Sequence, residues 1–247
     1  MIVLKLGGSA ITDKDRPETL DGESLETAAD AIADGLRSGS ASSLVIVHGG
    51  GSFGHANASE HGVTTTAGTH DVAAVHDVHG AMKTLNEFVL SRLVDRDVPA
   101  VPVHPFSTAH RDEAGRLVLP TGQVETMVAE GFVPVLHGDL VAHTGRGVTV
   151  VSGDELVAAL ALDLAADRVG LCSTVPGVLD DADAVIDEIA SLEEVAAVLG
   201  DSDSTDVTGG MAAKVETLLE LDAEASIFGI EDVSAFLAGK TPGTTVR

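Results

Sequence analysis

Lys5-Leu6-Gly7-Gly8-Ser9 closes the first apolar run of the chain, and His48-Gly49-Gly50-Gly51-Ser52-Phe53-Gly54-His55 closes the second. Each follows a short stretch of β-branched and aliphatic residues, Ile2 to Leu6 and Leu44 to Val47. Glycines at a strand end let backbone N–H groups close on a phosphate, because no Cβ stands in the way. Two such turns bring two phosphates together, which points to phosphoryl transfer.

Working outward, the pattern alternates. Leu25, Ala28, Ala29, Ile32, Ala33 and Leu36 follow the helical period between Glu23 and Arg37, and a longer stripe from Val75 to Leu93 predicts a helix over Asp71 to Arg96. Strands are expected at Ala100 to Val103, Phe132 to Leu136, Arg168 to Ser173 and Ala225 to Phe228, with hairpins around Asp112 to Gly115 and Thr144 to Gly147. Helices are expected from Ser152-Gly153-Asp154 to about Leu164 and, with Thr208 as N-cap, from Gly209-Gly210 through Leu221. The acidic stretch Asp201 to Asp206 reads as a mobile loop. This order implies a mostly parallel sheet covered on both faces, in a single α/β domain over residues 1–247 with two functional lobes.

Composition narrows the function. A net charge of −25 argues against nucleic-acid and anionic-membrane partners, and no run of about 18 apolar residues reads as a membrane span. The N-terminus lacks a secretory pattern and Cys172 is the sole cysteine, so a reducing cytoplasm is the expectation. Cys172 itself reads as a small core residue. Abundant Asp and Glu, few aromatics and only five lysines indicate a chain adapted to high salt. Three of those lysines, Lys5, Lys14 and Lys214, lie in or beside glycine-rich segments, where a cation would hold phosphate.

Competing motifs are weaker. Gly49, Gly51 and Gly54 satisfy G-x-G-x-x-G, but the run does not follow the first strand, and Asp71 opens a helix instead of closing a strand. The Walker form G-x-x-x-x-G-K-[ST] is absent. His70, His76 and His79 have no Cys pair or placed carboxylate beside them and read as a solvated helix face, so no protein-held metal is expected. His55 leaves the glycine turn where an imidazole can donate to a phosphate oxygen; the plain alternative is a solvent-facing residue at a helix start. Asp154 can cap its helix or hold two lysines in place. Lys214 lies one turn into a helix whose N-terminus suits an anion.

Taken in order, Lys5-Leu-Gly-Gly-Ser9 with Lys14, Gly49-Gly-Gly-Ser-Phe-Gly-His55, Pro134-Val-Leu-His-Gly-Asp139, Ser152-Gly-Asp154, Pro176-Gly-Val178 and Thr208-Gly-Gly-Met-Ala-Ala-Lys214 resemble the amino acid kinase superfamily. Within it, His55 after Gly-Ser-Phe-Gly is similar to the isopentenyl phosphate kinases. The resemblance implies an open αβα sandwich, a homodimer, and ATP-dependent phosphorylation of isopentenyl phosphate. The acceptor lobe would be about 1–150 and the ATP lobe 151–247. It further implies that Lys5 and Lys214 flank the moving phosphoryl group, oriented by Asp154, while His55 grips the acceptor phosphate and Lys14 adds charge. On the same footing ATP would meet Gly7, Gly8, Ser9, Gly51, Ser173, Gly177, Gly209 and Gly210, and the acceptor would meet Gly50, Gly54 and Gly153, with Val78 and Met82 beside its tail. Mg²⁺ would be held mainly by ATP. One departure stands out: where the family commonly carries Thr-Asp-Val-Asp-Gly-Val, this chain has Ser173-Thr-Val-Pro-Gly-Val178. A same-fold kinase of another phosphate or phosphonate, such as a fosfomycin-type kinase, and a non-catalytic nucleotide sensor are the alternatives.

Overall fold

The computed structural model describes residues 1–191, 193 and 210–247. The first strand, β1 (Ile2–Leu6), lies inside an eight-stranded sheet, and its burial on both faces explains its unbroken apolar character. Beside it run β2 (Leu44–His48), β6 (Val133–His137) and β3 (Ala100–Pro102) on one side. On the other run β9 (Arg168–Ser173), β11 (Glu224–Gly229), β12 (Thr244–Val246) and β10 (Glu188–Ile189). All neighbours pair parallel except β11 with β12.

Alternation along β1 assigns the two faces. Ile2, Leu4 and Leu6 enter one core with α2 (Gly22–Arg37), α4 (Val72–Val94) and α9 (Val233–Leu237). Val3 enters the other with α6 (Gly122–Ala129), α7 (Gly153–Asp163) and α8 (Met211–Leu219). The result is an αβα sandwich. A second sheet, ordered β5 (Leu117–Val118), β4 (His110–Arg111), β7 (Asp139–His143) and β8 (Gly147–Val151), contains the two expected hairpins.

Two helices exceed what the sequence pattern predicts. Gly51–Glu60 forms α3, although glycine and asparagine make it a poor helix by propensity; burial of Phe53 and Ala58 supplies what propensity does not. Helix α6 buries only Val124, so it has no apolar stripe to read. Two four-residue α-helices, α1 (Gly8–Ile11) and α5 (Pro105–Thr108), and a 3₁₀ turn over Ile230–Asp232 are also present. The acidic stretch Asp201 to Asp206, Thr208 and Gly209 lie outside the described residues. Among the described residues, no helix is long and apolar enough to cross a membrane.

Candidate active site

Parallel pairing puts the C-terminal ends of β9, β1, β2 and β6 on one edge of the sheet. The turns leaving them (Ser173-Thr174, Gly7-Gly8-Ser9, Gly49-Gly50-Gly51 and Gly138) meet there around a cleft that opens to solvent. A crevice at the carboxyl edge of an open α/β sheet is where such folds bind ligands.

Lys5 stands on the same face of β1 as Val3, under α7, and only 6% of its surface is exposed. A buried ammonium needs a partner. Asp154 in the first turn of α7 provides it, with Nζ donating to Oδ1 over 2.8 Å. The start of α7 is built for that task. Ser152 accepts from Glu155 N at 3.1 Å, the Glu155 carboxylate accepts from Ser152 N at 2.9 Å, and together they form a reciprocal cap. Arg111 of β4 then holds the outer oxygen of Glu155 at 2.6 Å. A carboxylate at a helix N-terminus is also favoured by the helix dipole.

The two glycine turns touch each other. A Cβ on Gly8 would lie 2.1 Å from Gly51 N, and one on Gly51, whose φ is +48°, would lie 2.2 Å from Thr12 Oγ1. Thr12 ties the turns by donating to Gly8 O at 2.8 Å and accepting from Ser52 N at 3.0 Å. Among the described residues none accepts from the backbone N–H groups of Gly8, Gly50 or Gly51. These donors meet the N-terminus of α3 at the cleft, which makes a concave anion site.

His55, one turn into α3, is half-buried and lines the cleft, as do Lys214 from α8 and Gly54. Ala58, Val78, Met82 and Val150 close one end with apolar surface, backed by a small core that includes Leu140 and Phe106. Ser173 and Thr174 lie at the opposite side, at the end of β9.

Most residues singled out from the sequence therefore come together: Lys5, Gly7, Gly8, Ser9, Gly50, Gly51, Gly54, His55, Val78, Met82, Gly153, Asp154, Ser173 and Lys214 all line the cleft. Lys14 is exposed on the loop after α1, and Gly210 precedes α8 without forming the wall. Gly177 is buried away from the cleft, packed so that a Cβ would lie 2.6 Å from Val185. Cys172 is buried in β9, and burial pushes its thiol up to about 12, leaving it inert.

His79 corrects the solvated-face reading. His70 and His76 are exposed, but His79 turns inward and its Nδ1 donates to buried Asp139 at 2.9 Å. Burial raises the Asp139 carboxyl, and the His79 hydrogen bond opposes that rise. His104 Nδ1 meets His137 Nε2 at 2.9 Å, and His137 stacks on His48 with ring centroids 5.4 Å apart. Sequence reasoning assigned these four groups (Asp139, His137, His104, His48) no role. The available signal was that β2 and β6 both end in His-Gly.

Among the described residues, both carboxylates that line the cleft are already engaged, Asp139 by His79 and Asp154 by Lys5. That donor set does not fit a protein-held divalent cation, which wants several free oxygens.

Comparison with known proteins agrees with this geometry. The profile of the amino acid kinase family matches residues 1–227. The isopentenyl phosphate kinase of Haloferax volcanii is 58% identical over 247 residues, covering 100% of this chain and 98% of that protein. The isopentenyl phosphate kinase of Methanothermobacter thermautotrophicus is 36% identical over 262 residues, covering 100% and 94%. A solved isopentenyl phosphate kinase superposes with a TM-score of 0.85 at 30% identity, over 100% of both chains.

Proposed function

Because the chain belongs to the amino acid kinase family, and to the isopentenyl phosphate kinases within it, we propose that its cleft transfers the γ-phosphoryl group of ATP to isopentenyl phosphate, yielding isopentenyl diphosphate for isoprenoid synthesis. The observation that carries this reading is the convergence of Lys5, Lys214, His55 and two glycine turns on one cleft with an apolar end.

An oxygen of the acceptor phosphate attacks the γ-phosphorus in line, the bond from that phosphorus to the bridging oxygen of ATP breaks, and ADP leaves. The acceptor is ionised at neutral pH, so no strong base is needed and catalysis rests on positioning and charge. Lys5 and Lys214 neutralise the transferring group, Asp154 orients Lys5, and the N–H groups of Gly8, Gly50 and Gly51 bind its oxygens. His55 holds the acceptor phosphate and Lys14 adds charge at the rim. Val78 and Met82 pack on the five-carbon tail. Residues from about 1–150 supply most of the acceptor site and 151–247 most of the ATP site, but the lobes share the cleft: Gly7, Ser9, Ser173, Gly209 and Gly210 serve the nucleotide, and Gly54 and Gly153 the acceptor, while Gly177 is buried behind it. Mg²⁺ would be held mainly by the phosphates of ATP. The enzyme works as a homodimer in the cytoplasm, and its −25 charge supports a salt-rich setting.

The test is conversion of isopentenyl phosphate by ATP in molar KCl with Mg²⁺. The wild type should turn over rapidly, and His55→Ala should lose about 10²- to 10³-fold in kcat/KM, the range for a charge-stabilising group. A folded, ATP-binding protein that left isopentenyl phosphate untouched would overturn the acceptor assignment.

A further inference from the structure

His48 ends β2 on the face packed against α4, fully buried, with its Nδ1 3.0 Å from the carbonyl oxygen of Gly49. Two close acceptors repel, so Nδ1 carries the proton and donates. A trans peptide is planar, with its C=O and the following N–H pointing in opposite directions. A Gly49 carbonyl tied back to the ring therefore turns the Gly50 N–H to the other face of the sheet, the face that carries Lys5. Gly50 lines the cleft there, and a Cβ on Gly138 would lie 3.7 Å from its nitrogen. Gly50 is right-handed and Gly51 has φ +48°, an alternation that gathers successive N–H groups into one anion-binding concavity.

We propose that His48 is a positioning residue for phosphoryl transfer: its Nδ1–H locks the Gly49–Gly50 peptide so that the Gly50 N–H is presented to a phosphate oxygen in the cleft. The inference deepens the kinase reading and rests on it for the name of the phosphate, although the lock itself is independent of the acceptor.

The surroundings hold the ring in the required tautomer. Burial drives His48 down to about 4, so the imidazole is neutral. With Nδ1 donating, Nε2 must accept. Asn86 lies 3.1 Å from Nε2, and its amide nitrogen is buried without a partner when its oxygen faces the ring. Turning the amide by 180° puts that NH₂ on the Nε2 lone pair. The next strand repeats the device. His137 pairs with His48 in register, its Nδ1 lies 2.9 Å from Gly138 O, and Gly138 N donates to His48 O at 2.9 Å.

Substitution separates the two ring nitrogens. The asparagine NH₂ stands near the place of Nδ1 and the glutamine NH₂ near that of Nε2. His48→Asn should keep the bond to Gly49 O and recover most of what His48→Leu loses. His48→Gln keeps the Asn86 side only and should resemble His48→Leu, with kcat down roughly 10- to 100-fold and the KM for ATP little changed, somewhat less than outright loss of a donor. A purely packing role predicts the reverse, since Gln and Leu fill the site better than Asn; equal or better turnover in His48→Gln overturns the proposal. Should the variants fail to fold, the wild type decides: ¹⁵N NMR of the His48 ring must show protonated Nδ1 and bare Nε2, and the opposite tautomer overturns it. The Gly50 amide resonance should also shift on titration with inorganic phosphate. A shift with no turnover of isopentenyl phosphate would sink the acceptor assignment and keep the lock; turnover without a shift would do the opposite.

Discussion

The Lys5–Asp154 pair illustrates how a buried charge can serve chemistry and burden the fold at once. Removing one member leaves the other uncompensated in the interior, a change that costs about 3–5 kcal/mol, whereas replacing both by apolar groups is often nearly neutral. Lys5→Met and Asp154→Leu should each lower the urea midpoint strongly, and the double variant should regain most of that stability while staying about 10²-fold or more below wild type in kcat. Recovery of activity along with stability would show the pair to be structural. His48 makes a second prediction at this scale. The native state refuses a proton that the unfolded chain accepts near pH 6.5, so stability falls as pH drops from about 6.5 toward 4, by on the order of 3 kcal/mol. Burial of His137 acts in the same direction, and Asp139, raised by burial, offsets part of the loss. Denaturant midpoints at pH 7.5 and 5 should differ, and less so in His48→Asn. Lys5, His55 and Lys214 were legible in the sequence because a charged or titratable residue beside glycines is conspicuous in a lysine-poor chain. Asp139 and His79 were not, since 60 positions separate them and only packing of α4 on β7 joins them.

At the scale of elements, the site depends on two turns approaching backbone to backbone. Gly51→Ala sets a Cβ 2.2 Å from Thr12 Oγ1 and 2.7 Å from Gly8 O in a left-handed conformation. The expected cost is about 1–3 kcal/mol of stability, with a larger loss of activity as the donors of both turns move apart. Thermal melting with parallel kinetics checks it, and an unshifted melting temperature with normal turnover would contradict the described contact. The turns themselves could be read from spacing, but their meeting could not. Helix α3 was missed for a related reason: its stability comes from burying Phe53 and Ala58 against other elements, and local propensity contains no trace of that.

For the whole molecule, a net charge of −25 in one chain produces repulsion that shortens in reach as salt is added. The melting temperature should rise steadily from 0.1 to 2 M KCl, and a flat response would remove the basis for salt adaptation. The cleft departs from that balance: Lys5, Lys214 and backbone N–H groups gather there beside Asp139 and Asp154.

By itself the sequence determined the alternation of strands and helices, the αβα layering that follows from it, and the residue types suited to holding phosphate. Those are local properties: a period of 2 or 3.6, a glycine at a strand end, a lysine in an apolar run. Tertiary structure alone decided that β1 lies between β2 and β9, so that turns distant in the chain share one edge, and that buried His48, His137 and Asp139 join the partly buried His79 and His104 in one network beneath it. Their partners lie tens of residues apart in the chain, and what pairs them is the cost of leaving a buried polar group unsatisfied, a condition that exists only once the core has closed.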